Sequence, residues 1–169
     1  NRDGLMCGIC NGFQALIKLG LVPYGKIIDT DETCPTLTFN NISRHQSRIV
    51  HTRIASTKSP WLSLMNVGDI VNVPISHGEG KFKLPYTEEQ YNIVAKYAYD
   101  AYPANPNGSD FNTAMMCDKT GRHLVTMPHI ERSVFPWNWA HYPANRKDEV
   151  TPWVEAFVNA RKWIEAQAK

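Results

Sequence analysis

The sequence predicts an α/β domain, and three observations predict it. Gly4 to Ile9 is a short apolar run that passes through a Gly-x-Cys-x-Gly turn straight into helical periodicity from Asn11 to Leu19. The middle of the chain carries β-rich runs punctuated by proline and glycine, and the C-terminal end carries one long helical pattern. Strand and helix periods in one chain of 169 residues require a sheet covered by helices.

Taken in order, Gly4-Leu5-Met6-Cys7-Gly8-Ile9 reads as a buried strand of a parallel sheet. The chain opens without methionine, and a buried strand at residue 5 needs neighbours that precede it. The expectation is that upstream sequence has been removed and part of the sheet is absent. Phe13, Leu16 and Ile17 then form one helical face, closed by Gly20. Thr36 to Asn40, Arg48 to Ile54 and Asp69 to Ile75 read as strands. Thr87-Glu88-Glu89-Gln90 is a possible capping box, and the residues from Tyr91 to Tyr102 are read as a short helix followed by a strand. Thr113 to Cys117 and His123 to Met127 flank Asp118-Lys119-Thr120-Gly121-Arg122, a hairpin whose glycine can take the positive φ. A final helix has Thr151 as N-cap, Pro152 in its first turn, and Trp153, Phe157, Ala160 and Ile164 along one face.

Composition narrows the function. A formal charge of +2, with basic residues scattered among acidic ones, leaves no stripe for nucleic acid. No apolar run approaches the roughly 20 residues that cross a bilayer, so a membrane is not an expected partner. Asn1-Arg2-Asp3-Gly4 carries no targeting pattern, and the reading is cytoplasmic. Four dispersed cysteines give no disulfide framework; in the cytosol they are catalytic, metal-binding or buried groups.

Gly8-Ile9-Cys10-Asn11-Gly12 places a cysteine at a strand-to-helix turn. Glycines permit a sharp turn that pushes the thiol into a cleft, and the helix N-terminus behind it is expected to lower the thiol pKa. The bland alternative is a buried packing cysteine. Cys7 and Cys10 also have redox or zinc spacing, but no second Cys-x-x-Cys completes four ligands, so no metal is expected. A cysteine nucleophile needs a base and the base an orienting group. Met127-Pro128-His129-Ile130-Glu131 supplies both: in an extended segment His129 and Glu131 point the same way. Alone, His-x-Glu in a chain with six histidines is a weak signal. Ser76-His77-Gly78-Glu79-Gly80 and Asn105-Pro106-Asn107-Gly108-Ser109 read as structural turns, and neither has the lysine and spacing of a phosphate loop.

Together these segments resemble the triad-type glutamine amidotransferases. The family's Gly-x-Cys-x-Gly-x-Gln is matched by Gly8, Cys10, Gly12 and Gln14, and its His-x-Glu by His129 and Glu131. Ser76 to Phe82, Asn105 to Ser109, and the helix from Pro152 through Arg161 are similar to the amidotransferase end of phosphoribosylformylglycinamidine synthases. The Trp-rich stretch Phe135-Pro136-Trp137-Asn138-Trp139 is more like the large fused enzymes than the separate glutaminase subunits. Departures are Ile130, where the family commonly has proline, and Lys81, where it commonly has arginine.

The resemblance implies a flavodoxin-like three-layer fold lacking its N-terminal strands here, with residues 1–169 as the C-terminal portion of a single amidotransferase domain. It implies glutamine hydrolysis by Cys10, His129 and Glu131, with Asn11, Gln14, His77 and Glu79 as substrate-binding residues. The ammonia would serve ATP-dependent conversion of formylglycinamide ribonucleotide to formylglycinamidine ribonucleotide in purine biosynthesis. No cofactor is implied in this domain; ATP and magnesium belong to a partner synthetase domain. The family's upstream glycine-rich loop helps form its oxyanion hole, so the expectation is that this chain alone is a poor glutaminase or inactive. Rival readings are another Cys-His-Glu amidotransferase, a γ-glutamyl hydrolase, or a non-catalytic partner-binding domain.

Overall fold

A computed structural model describes residues 4–168; Asn1, Arg2 and Asp3, read above as carrying no targeting signal, lie outside the described residues. Strand β1 (Met6–Ile9) turns at Cys10 into helix α1 (Asn11–Lys18), followed by the kinked turn α2 (Leu21–Tyr24). Strands β2 (Thr36–Thr38), β3 (Gln46–Ile54), β4 (Ile70–His77) and β5 (Lys81–Lys83) occupy the middle. Strand β6 (Asn92–Tyr97), the hairpin β7 (Thr113–Cys117) and β8 (His123–Thr126), and helix α3 (Trp153–Gln167) complete the chain.

Six strands form one sheet in the order β1-β8-β7-β6-β3-β4, while β2 and β5 pair separately. Only β1 and β8 run parallel; the other pairs are antiparallel. The hairpin between β7 and β8 forms as its turn residues require: Gly121 takes φ +78°, and a Cβ there would sit 2.7 Å from the Lys58 carbonyl oxygen. The sheet is thus mixed, with its parallel pair where the strand-turn-helix unit was expected.

Alternation along the strands divides the core in two. Met115 and Leu124 belong to one apolar cluster with Val73, Ile75, Trp153 and Ala156, while their neighbours Met116 and Val125 face a second with Phe13, Ile17 and Phe82. Helix α3 therefore covers one face and α1 the other, giving three layers. Phe13 is fully buried 4.4 Å, centroid to centroid, from Phe82, and Phe13→Ala would cost about 3–5 kcal/mol of stability.

Several expectations need correction. β1 is an edge strand with only Gly8 fully buried and Met6 42% exposed, so it is not enclosed on both faces. Thr87 makes no side-chain cap; Glu88–Gln90 is a single 3-10 turn leading into β6. The buried face of α3 is Trp153, Ala156, Asn159 and Ala160, whereas Phe157 and Ile164 are 38% and 47% exposed. Phe157 instead lies edge-on to Trp61 at 6.0 Å. Pro152, in helical geometry, directly precedes α3, and Thr151 caps it as expected: its hydroxyl accepts the Trp153 N–H at 3.4 Å while donating to the Ser133 carbonyl.

Candidate active site

The turn after β1 is strained. Cys10 has φ 52° and ψ −103°, a left-handed conformation that costs a non-glycine residue about 1–3 kcal/mol and persists only where its surroundings impose it. They do so at both ends: the Cys10 N–H donates to Thr126 O at 2.9 Å, and Cys10 O accepts the first helical bond from Gln14 N–H at 3.1 Å. A Cβ on Gly8 would lie 2.7 Å from Gly12 O and from Leu16, so glycine is required there. At Gly12 a Cβ would meet nothing within 4 Å, so the second glycine answers to no clash among the described residues.

Cys10 and His129 converge because the sheet curls. β1 and β4 are opposite ends of the strand order, yet the outward edge of β4 lies against the residues that leave β1 and β8. The Cys10 thiol donates to Ser76 O at 3.6 Å. The His129 N–H, just beyond β8, donates to Pro74 O at 2.8 Å. Trp153 Nε1 of α3 donates to Asn72 O at 2.7 Å. Three alternate carbonyls of one strand edge thereby fix Cys10, His129 and the covering helix. Proline at position 74 is compatible with the edge, since it has no N–H to leave unpaired.

Glu131 Oε1 lies 2.6 Å from His129 Nδ1. An ionised carboxylate only accepts, so Nδ1 carries the proton and Nε2 of the neutral ring presents a lone pair. That Nε2 is buried without a hydrogen-bond partner. The contact arises differently from expectation: Ile130–Arg132 is a 3-10 turn with His129 at its N-terminal end, so the pair meets across a turn.

The thiol pKa also runs against expectation. Burial pushes Cys10 above the ordinary cysteine value; the Asn11 N–H and the Arg132 charge pull it down, the Glu131 carboxylate adds to the rise, and the net direction is upward. Desolvation of the thiolate outweighs the helix N-terminus, so a base must take the proton. Cys7 is pushed up to about 12, chiefly by burial. It packs against the core cluster of α3 while Cys10 packs against that of α1, and both are free thiols. The two sulfurs therefore face opposite sides of β1.

The remaining candidates divide. Asn11 Nδ2 donates to Gln14 Oε1 at 3.1 Å, and Gln14 Nε2 donates to Glu79 O at 3.0 Å. This ties the start of α1 to the turn after β4, through the Glu79 carbonyl rather than its exposed side chain. His77 is buried, and Asn40, which the sequence reading overlooked, fixes its tautomer. Asn40 Nδ2 donates to Arg44 O and His77 O, so its Oδ1 accepts from Gly80 N–H and from His77 Nδ1–H at 3.1 Å. His77 Nε2 is left as a buried acceptor without a partner. Its pKa is lowered to about 4 by burial first, then by the charges of His45 and His129. No sequence signal links Asn40 to a histidine 37 positions away. Asn105, Asn107 and Ser109 form a buried turn: Asn107 Nδ2 donates to Gly80 O and the Tyr97 hydroxyl, and Ser109 Oγ accepts from Phe82 N–H. That turn is structural, as read. Among the described residues no three His, Cys, Asp or Glu side chains are grouped to hold a metal ion.

Comparison with known proteins adds independent findings. A sequence model of CobB/CobQ-like glutamine amidotransferase domains matches residues 1–164. Phosphoribosylformylglycinamidine synthase of Dictyostelium discoideum is 34% identical over 98% of this chain and 13% of its own length. The human enzyme of the same name is 36% identical over 95% of this chain and 14% of its length. Phosphoribosylformylglycinamidine synthase subunit PurQ of Methanococcus maripaludis is 37% identical over 90% of this chain and 61% of its length. The chain thus spans about an eighth of the large relatives and three-fifths of the small one. The structure of PurLQS from Thermotoga maritima superposes with a TM-score of 0.71 at 24% identity, over 95% of this chain and 62% of that one, and so has the same fold.

Proposed function

The chain belongs to the family of CobB/CobQ-like glutamine amidotransferase domains, and on that premise we propose that Cys10, His129 and Glu131 hydrolyse glutamine to supply ammonia for formylglycinamidine ribonucleotide synthesis in purine biosynthesis. The observation that carries this reading is the β4 edge, which holds a strained cysteine and a Glu131-oriented histidine side by side. The relatives' names support the choice of pathway.

His129 Nε2 takes the Cys10 proton, and the thiolate attacks the glutamine side-chain carbonyl. The imidazolium, held by Glu131, passes that proton to the departing nitrogen, leaving ammonia and a glutamyl thioester. Water deprotonated by His129 then cleaves the thioester to glutamate and restores the thiol. The Asn11 N–H, already directed at the sulfur, donates to the oxyanion. Asn11, Gln14 and Glu79 shape the glutamine site, and His77 Nε2, fixed as an acceptor, receives an N–H of the substrate. The chain acts as part of one amidotransferase domain in the cytoplasm. It delivers ammonia to a synthetase that uses ATP and magnesium; no cofactor is needed in this domain.

The test is glutamate release and Cys10 labelling by a glutamine-like chloroketone, measured with the synthetase, ATP, magnesium and formylglycinamide ribonucleotide present. Labelling and turnover are expected in the wild type and neither in Cys10→Ala. A Cys10→Ala protein that still releases glutamate would sink the assignment.

A further inference from the structure

We propose that the cavity between β3, β4 and the loop after His129 binds a phosphate-class oxyanion through Arg48 and Arg132. The cavity has a volume of about 500 Å³, and Arg48 and Arg132 are the charged groups of its lining. Among the described residues neither guanidinium has a carboxylate partner. Unmatched cations sharing one concavity are unusual, because nearby carboxylates ordinarily pair with them.

Arg48 and Asn138 are already held in place. Arg48 lies over the Tyr102 ring at 5.2 Å, and one of its nitrogens reaches Pro103 O at 3.4 Å. Stacking occupies the face of a guanidinium and leaves the remaining in-plane N–H groups for a ligand. Asn138 Oδ1 accepts the Phe135 N–H at 2.9 Å, which directs its function towards donation through Nδ2. Ser47 adds a hydroxyl to the lining. Two positive charges with neutral donors match a dianion better than a monocarboxylate, and phosphate fits the forked geometry of arginine. The Walker pattern is absent, so recognition here rests on side chains and not on a phosphate loop.

The cavity adjoins the catalytic residues without containing them. Pro74 lines it and also accepts the His129 N–H, while Arg132 directly follows Glu131. Binding at this site does not depend on the glutaminase reading, so failure of either leaves the other standing.

The test is calorimetric titration of the full chain with inorganic phosphate and separately with adenosine monophosphate, at low ionic strength against a chloride control. Saturable one-to-one binding is expected, weakened about tenfold by Arg48→Gln and by Arg132→Gln, as loss of a charge-assisted hydrogen bond predicts. Equal affinity for both probes identifies the free ion as ligand; tighter nucleotide binding identifies a phosphate carried on a larger molecule. Either result upholds the site. If Arg48→Gln does not fold, Arg48→Lys keeps the charge without the fork and is expected to bind with intermediate affinity. Non-saturable uptake that is equal in the wild type and in the Arg132→Gln protein overturns the proposal.

Discussion

Two polar clusters meet at the end of β4, and they handle their hydrogen bonds in opposite ways. Around Asn107 the groups are mutually satisfied: its Nδ2 serves Gly80 O and the Tyr97 hydroxyl, and its Oδ1 accepts from the Ser109 N–H and hydroxyl. Around Cys10 the backbone is strained, and the inner nitrogens of His129 and His77 have no partner. A completed network gains stability from every member, whereas an incomplete one keeps buried lone pairs available for a substrate. Burial runs the same way: Asn105, Asn107 and Ser109 are buried, while Cys10 and His129 are half-buried and Glu131 is exposed.

The largest effect that would break this comparison is on turnover. His129→Ala is expected to lower glutamate release by about 10⁶-fold, as loss of a triad base does elsewhere. Its melting temperature should stay near the wild-type value, because the lost ring had an unpartnered buried nitrogen. An equally large loss of stability would place His129 in the scaffold. Asn107→Ala should do the reverse, costing about 3 kcal/mol by stranding the Tyr97 hydroxyl and the Gly80 carbonyl, measurable by denaturant unfolding.

The smallest effect sharpens the boundary, since His77 belongs to both clusters. Its folded pKa of about 4 lies below the unfolded value near 6.5, so the unfolded chain binds more protons between those limits. Its contribution to stability is complete above pH 6.5 and is lost as pH falls towards 4, amounting to roughly 2 kcal/mol by pH 5. His77→Gln should remove that part of the acid sensitivity. Parallel pH profiles for variant and wild type would mean that His77 titrates normally.

Much of this was legible in the sequence, because the relevant signals are local. The elbow needs Gly8 and a cysteine within five residues, the hairpin needs Gly121, and Glu131 is two residues from His129. What was not legible depends on distant partners. The approach of β4 to Cys10 follows from curling of a whole sheet, and Asn40 fixes His77 from another segment. The thiol shift was misjudged in sign because a helix terminus can be read from sequence while desolvation cannot. On α3, Phe157 was assigned to the core by periodicity, but it is partly exposed and lies edge-on to Trp61.

The carbonyls of Asn72, Pro74 and Ser76 act as the marks of a ruler. Alternate residues of a strand repeat about every 6.7 Å, so the separation of the anchors for Trp153, His129 and Cys10 is set by peptide geometry and not by any side chain. Substitutions at positions 72 and 76 leave those marks in place. Inserting or deleting one residue within β4 would move a mark by half a repeat and reverse its direction, so this strand should tolerate changes of letter far better than changes of length.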